Sequence, residues 1–551
     1  MASVASLPTE TVTGTQLATI VRSMQQQKQA RVVFRTRHGV IRKTFAECYD
    51  DACGLAAAFQ RLGLKEGGIV AIYGSTSYEW LLADLACVLN GAVSLALYPN
   101  ALLPRVVSIA LEMKAALVLT DQPDSVGKFI AAGFNTVLLS SEIKDGVAST
   151  GSLLRESLAC GSNWQPSCAS AEPFTIVSTS GTLSEPKFFA VASYPLMYTM
   201  DRFKQIFELC PDDSLLLAMP LAHLPQRMLL YGVIKHGIDL SLSSPTTFLR
   251  DVLEFQPTIH VVVPRMLQYV DERLTKAMSN GKGAWIRLAL PLLKVFPWLA
   301  YQLLGARIFG PRARCIFVGS AATPREVLER LQAIGCPIYE VYGTTELGIL
   351  ALSTPRFKRI GSVGKIVDWG EASIEPDTGE VLFRTDLPFL AGLVVNGRIE
   401  LDETLRGKFA RTGDIGSLDA EGYLTLQGRV RDFVALLSGK KIFVRPIEDR
   451  LSAIHGVAHC VALGDGQKHL SAVLFAHPDV AFNSPDERLA HFRKTISEIN
   501  QELGPEERIR RFLVVDEQPS IENRCLTETL KLRRHAVNEK YAKDYQRYET
   551  V

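Results

Sequence analysis

The stretch ARCIFVGSAATPREVLERLQAIGCPIYEVYGTTELG, Ala313–Gly348, decides the fold, because two short apolar runs, ARCIFVG and PIYEVYG, stand either side of a helix-length segment. The same alternation recurs from about residue 30 to 430, in GGIVAIYG, AALVLT, NTVLLS, SLLLAMP and IHVVVP. Runs rich in Val, Ile and Leu, separated by helical lengths of chain, predict parallel strands buried on both faces by helices. The segment SYEWLLADLACVLNGA is one such helix, with Trp80, Leu81, Leu85 and Val88 at helical spacing and Gly91 as its stop.

Working outward, the texture changes after Gly361, where the turns PDTGE and DAEGY separate short β-prone runs. The expected organisation is α/β: a large N-terminal domain over residues 1–428 with a small β-rich subdomain at about 361–428. A mobile α+β C-terminal domain over 429–551 follows, with a hinge at about 430–432.

The 551 residues exceed one core. Sixty basic against 58 acidic residues leave a net charge of +2, too even for a protein whose main partner is nucleic acid. Ten scattered cysteines show no metal-ligand spacing, which fits reduced thiols in the cytoplasm. The N-terminus lacks the pattern of a secretory signal, so the mature chain is expected to start near Met1. The apolar window Trp285–Ala306 is interrupted by Pro291, Lys294 and Pro297 and reads as a buried or interfacial helix pair, with peripheral membrane or acyl-chain contact as the other reading.

Four segments carry chemistry. FTIVSTSGTLSEPKFFAV, Phe174–Val191, gathers hydroxyls, Gly181 and Lys187 in a turn suited to phosphate oxygens, although it is not a Walker A loop. From its residues alone, a Ser/Thr-rich surface turn reads as well. EVYGTTELG, Glu340–Gly348, places Tyr342, Gly343, Thr344, Thr345 and Glu346 just after a strand, where they suit a base, a phosphate and Mg²⁺, or else a capped helix start. RTGDIGSLDAEGYLTLQGRVRD, Arg411–Asp432, sets Asp414 and Arg429 at the two ends of a hairpin, an arrangement suited to ribose hydroxyls or to holding a turn. LTETLKLRRHAV, Leu526–Val537, brings Lys531 to the start of a basic helix, as an electrostatic catalyst or a solvated face.

Taken in this order, the four segments resemble the adenylate-forming superfamily of acyl-CoA synthetases, luciferases and peptide-synthetase adenylation domains. STSYEWLLADLACVLNGAVSLALYPN, MPLAHLPQRM and LTETLKLRR are similar to segments of its long- and medium-chain fatty acid–CoA ligases. The resemblance implies that Thr179, Ser180, Gly181, Thr182 and Lys187 hold the β- and γ-phosphates of ATP. It implies that Gly319, Ser320 and Ala321 line the adenine and acyl sites, that Tyr342 faces adenine, and that Gly343 and Thr344 complete that loop. Thr345 would meet the α-phosphate, Glu346 the Mg²⁺, Asp414 and Arg429 the ribose. Lys531 would bridge carboxylate and phosphate, His223 would line or gate the acyl pocket, Arg431 would be the hinge, and Gly439 would lead the loop that replaces Lys531 for thioester formation.

The substrates implied are ATP, a fatty acid and CoA, giving acyl-CoA, AMP and pyrophosphate. An acyl-AMP ligase loading an acyl-carrier protein and a catalytically weak acyl- or nucleotide-binding relative are the alternatives. The last is motivated by Leu183, Ser184 and Phe188, which stand where the family's loop has a Thr and two Gly, so that a crowded phosphate path is expected.

Overall fold

The computed structural model describes residues 17–142, 147–160, 164–166, 172–179, 187–279, 297–527, 531–542 and 547–551. Ser180, Gly181, Thr182, Leu183, Ser184 and most of the Trp285–Ala306 window lie outside the described residues, and of Thr179 only the backbone is described.

Every apolar run singled out above forms a strand, in two large sheets and with mainly parallel neighbours, because a strand covered on both faces can be apolar throughout. The first sheet has eight strands. Its parallel part runs Thr175–Thr179, Val93–Leu97, Ile69–Tyr73, Leu117–Thr120, Asn135–Leu138. The second has nine, with a parallel centre of Ile338–Thr344, Cys315–Val318, Ile259–Val262, Ser214–Leu217, Asp239–Leu242 and Arg31–Thr36.

The largest apolar cluster joins Val70 and Ile72 of the first sheet to Leu215, Leu217 and Leu240 of the second, through residues of the helices Phe45–Arg61, Tyr78–Leu89 and Leu224–His236. Helix Tyr78–Leu89 starts where the Ser77 side chain accepts the Trp80 N–H at 3.1 Å, and Gly91 at φ +62 follows its end. It is buried nearly all round, wider than the single apolar face its spacing predicts. That burial includes Asp84, which is neutralised by Arg227 of helix Leu224–His236 through Nε–H to Oδ2 at 3.1 Å and receives the Tyr231 hydroxyl at 2.7 Å. Arg227 also donates to Ser94 Oγ at 2.7 Å and to Thr175, so both inner helices are tied to the strands beneath the crevice.

A four-stranded antiparallel sheet, Glu371–Ile374, Glu380–Arg384, Ala410–Leu418, Leu424–Arg429, follows the turns seen in the sequence. The segment 361–428 is not one sheet, however: Leu390–Val395 pairs with Lys187–Val191 and carries Arg398–Leu401, so these strands complete the eight-stranded sheet. Beyond a 3₁₀ turn at Val430–Asp432, the chain forms a hairpin, a second four-stranded sheet and the helices Arg445–Ser452, Pro485–Gln501 and Arg534–Tyr541 around separate cores. Among the described residues, no helix is long and apolar enough to cross a membrane.

Candidate active site

In an α/β sheet the loops at the carboxyl ends of parallel strands form the crevice, and here both sheets contribute. Gly319–Ala321 leaves the strand Cys315–Val318, where a Cβ on Gly319 would come within 2.8 Å of the Val341 carbonyl oxygen. Tyr342 lies inside the strand Ile338–Thr344 rather than after it, and Gly343–Gly348 returns as an antiparallel turn rather than a helix start. The turn is closed by Thr344 Oγ1, which accepts the Leu347 N–H at 3.1 Å, and a Cβ on Gly343 would stand 2.3 Å from the Gly348 carbonyl oxygen. Thr345 and Glu346 sit half-buried at the tip.

Asp414 and Arg429 are cross-strand partners, as the hairpin spacing predicts. Asp414 is 5% exposed, and its carboxylate accepts the Tyr342 hydroxyl at 2.7 Å on Oδ2 and pairs with Arg429 Nε at 3.0 Å on Oδ1. A carboxylate has about four lone-pair positions, so these two partners leave room for two vicinal hydroxyls. Tyr342 packs in the main core at 8% exposed, and burial, followed by the Asp414 charge, pushes its phenol well above the usual range.

Lys531 crosses from the C-terminal part to the N-terminal part: its Nζ donates to the Ser320 carbonyl at 3.1 Å. Thr527, fully buried, fixes it from behind by accepting the Lys531 N–H at 3.0 Å on Oγ1 while its own N–H donates to the Lys531 carbonyl at 2.8 Å. Desolvation in the cleft, then the charges of Arg429 and Arg431, lower the Lys531 ammonium below its usual value, and Asp414 opposes the shift. Arg431 is lowered likewise, by desolvation and then by Arg429, against Asp432 and Asp414. Three cations therefore lie about the buried Asp414, with Asp432 as the second carboxylate beside Arg431, a net positive field that favours a polyanion.

His223 precedes helix Leu224–His236, with Tyr98 Oη 3.2 Å from Nδ1 and Ser320 Oγ 3.2 Å from Nε2. Burial, then Lys531, pulls its pKa down to about 4, so the ring is neutral near pH 7. Tyr98 and Thr527 were not among the expected site residues. Tyr98 does carry a signal, ending the apolar run SLALYP on the same carboxyl side of a strand as the others.

Lys187 is exposed and pairs in register with Thr179 across two antiparallel strands. Phe188, expected to crowd the phosphate path, instead points into the core at 5% exposed, in the cluster that holds Leu95, Phe129 and Ile176. Gly439 stands at an exposed turn between Phe433–Ala435 and Lys441–Phe443 at φ +82 with nothing within 4 Å of a Cβ; here glycine serves the backbone angle, not a close approach. Among the described residues, no three His, Cys, Asp or Glu side chains group to hold a metal. A lone Glu346 fits Mg²⁺ of the kind held by one carboxylate and substrate phosphates, not a resident metal site.

The fold and the four segments define an adenylate-forming enzyme, and the comparisons agree. The AMP-binding enzyme profile matches residues 20–386 and its C-terminal domain residues 431–549. The chain belongs to the AMP-binding enzyme family, the adenylate-forming superfamily. It is 26% identical over 552 residues to the long-chain-fatty-acid–CoA ligase FadD15 of Mycobacterium bovis, covering 91% of either chain. To long chain acyl-CoA synthetase 1 of Arabidopsis thaliana it is 25% identical over 567 residues, covering 90% of this chain and 85% of that one. Its fold matches the o-succinylbenzoate coenzyme A synthetase MenE of Bacillus subtilis, solved in complex with AMP, with a TM-score of 0.71 at 20% identity, covering 94% of this chain and 97% of that one.

Proposed function

We propose that this chain activates a fatty acid with ATP to acyl-AMP and then transfers the acyl group to CoA, releasing pyrophosphate and AMP. The observation that carries the reading is the gathering of Arg429, Arg431 and Lys531 about the buried Asp414 carboxylate, three cations against Asp414 and Asp432, with the Lys531 ammonium on the Ser320 carbonyl just past a parallel strand. Such an excess of positive charge, partly desolvated, is stabilised by the phosphates of a nucleotide. The names of the relatives supply the acyl class, and their activity with long-chain fatty acids motivates the substrate proposed here.

In this reading the Asp414 carboxylate takes the ribose hydroxyls on its free lone pairs, with Arg429 holding it in place from Oδ1. Thr345 and the backbone of Gly319–Ala321 face the α-phosphate and the adenine. Lys531 places its ammonium between the attacking carboxylate and the α-phosphate, where charge grows as pyrophosphate leaves. Mg²⁺ would be held by Glu346 and would neutralise phosphate charge when bound. No side-chain nucleophile is needed, because the substrate carboxylate is itself the nucleophile. For the second half-reaction, the C-terminal domain turns about Val430–Asp432, withdraws Lys531 and presents the Gly439 turn to the acyl-AMP.

The test is pyrophosphate release from ATP and Mg²⁺ with carboxylic acids from acetate to long-chain fatty acids, with and without CoA, and products identified by mass. Acyl-CoA formation that depends on CoA and peaks among the long chains is the expected result. Acyl-AMP that accumulates despite CoA points to another acceptor, and no pyrophosphate with any acid overturns the reading.

A further inference from the structure

One layer of helices covers a face of the nine-stranded sheet. Val252 of helix Phe248–Phe255, Val270 of helix Pro264–Ser279, and Tyr301 and Leu304 of the helical stretch 297–309 share one core with Ile316 and Ile338 of the strands. A helix so placed normally turns polar residues outward. These helices also turn apolar ones outward: Leu253, Tyr269, Trp298, Leu299 and Leu303 are all exposed. At 73%, Trp298 is the most exposed large apolar side chain among the described residues. The stretch 297–309 does not roll to hide it, because the opposite side is fixed. There the Tyr301 hydroxyl donates to the Gly310 carbonyl at 2.6 Å, and the Tyr301 ring lies so close to Gly305 that a Cβ there would stand 2.4 Å from it. Covering Trp298 by rotation would uncover Tyr301 and Leu304, so the stretch is apolar on two sides.

The charge around this face has one sign. From Arg273 to Arg325 the sequence holds nine basic residues and no acidic one, in a chain whose totals are 60 and 58. Arg307 follows Leu303 by one turn and is exposed, and exposed Arg273 lies over the ring of Tyr269 at 4.8 Å. Most acids of the three helices are engaged elsewhere: Asp251 and Glu254 pair with Arg35, and Asp271 pairs with Arg330. A face of one sign repels a second copy of itself. An exposed indole beside leucines and guanidinium groups suits the boundary between anionic headgroups and acyl chains.

We propose that this helical layer, through Trp298, Leu299 and Leu303 together with Arg273 and Arg307, docks the protein on an anionic lipid surface. The indole and the leucines enter the acyl boundary while the arginines meet lipid phosphates. The binding is to the surface, since no helix among the described residues is long and apolar enough to cross a membrane. It does not rest on the proposed acyl-activating function and is read without substrate.

The experiment floats the full-length chain with vesicles of equal parts phosphatidylglycerol and phosphatidylcholine, and with vesicles of phosphatidylcholine alone. Binding to the anionic vesicles should be at least about tenfold tighter, and should weaken as salt rises from about 50 mM to about 500 mM. The triple variant Trp298→Ser, Leu299→Ser, Leu303→Ser should lose at least about tenfold in affinity for the anionic vesicles. Arg273→Gln with Arg307→Gln should lose about tenfold there while leaving the weak binding to phosphatidylcholine unchanged. Tryptophan emission should move to shorter wavelength on the anionic vesicles, and Trp298→Phe should remove most of that shift. Because every replaced side chain is exposed, the thermal unfolding midpoint should stay within about 2 °C of wild type, which separates lost docking from lost fold. Wild-type affinity in the triple variant, equal affinity for the two kinds of vesicle, or a wild type that does not float would overturn the proposal. So would a wild type that dimerises while the triple variant stays monomeric, since a second copy would then cover the face. A chain that floats as expected yet releases no pyrophosphate would refute the proposed function and leave the docking face standing.

Discussion

Arginine charge is treated oppositely in two places, buried beneath the crevice and exposed at the cleft. Beneath the crevice, Arg227 and Asp84 are both fully buried, and the guanidinium is further bound by Ser94 and Thr175 and stacked over Trp80 and Phe174 at 5.6 and 5.1 Å from the ring centres. That site is satisfied within the protein and has nothing left to offer a ligand. At the cleft, Arg429, Arg431 and Lys531 outnumber the carboxylates of Asp414 and Asp432, and desolvation with the neighbouring guanidinium charge lowers the proton affinity of Arg431 and Lys531. The difference separates scaffold from site: a balanced buried pair holds helices to strands, whereas cations that outnumber their carboxylates at a cleft leave a positive field that an anion relieves.

The comparison breaks most strongly at the satisfied pair. Asp84→Asn leaves Arg227 as an uncompensated buried charge and should destabilise the protein by about 3–5 kcal/mol, seen as a large drop in the thermal unfolding midpoint. Replacing both residues by apolar ones of similar volume should restore most of that loss, and an equal loss in the double variant would show that the pair itself, not the stranded charge, matters.

A second buried group sharpens the contrast because it titrates in the accessible range. His260 is fully buried in the strand Ile259–Val262, and desolvation pulls its pKa down to about 4. Since the unfolded imidazole binds its proton near pH 6.5 and the folded one does not, stability is undiminished above pH 6.5 and falls as pH drops toward 4, by about 3 kcal/mol at most. His260→Gln should flatten the stability profile over that window; an unchanged slope would assign the acid sensitivity elsewhere.

At the unsatisfied site the effect is smaller for folding and larger for ligand. Asp414→Ala should weaken ATP binding by about tenfold or more, equivalent to about 1.4 kcal/mol, read by titration calorimetry. Unchanged ATP affinity would refute the ribose role given to Asp414.

Much of the fold is legible in the sequence because a strand buried on both faces must be apolar along its whole length. The seven runs that form strands needed no partner to be recognised. Helix Tyr78–Leu89 was legible in position but not in environment, because the partner that allows Asp84 into an apolar helix lies 143 residues away in sequence. The return of Leu390–Val395 to the eight-stranded sheet is likewise a long-range pairing that no local pattern encodes. At the site, Asp414 and Arg429 could be read as two ends of one hairpin, a local relation that the strand register reproduces. Tyr342 and Thr344 were read as lying just after a strand, with a helix start as the alternative, and the hairpin return extends that strand to Thr344 because a Gly-Thr-Thr turn opens a helix or a hairpin equally well. Tyr98 and Thr527 escaped because each acts only through a neighbour brought to it by the fold.

The central claim is that the cation cluster is assembled for adenylation and dispersed for transfer, and Lys531→Ala tests it most directly. Single-turnover formation of acyl-AMP from ATP and fatty acid should be lost, while conversion of supplied acyl-AMP and CoA to acyl-CoA should proceed at close to the wild-type rate. Equal loss of both half-reactions would contradict the account.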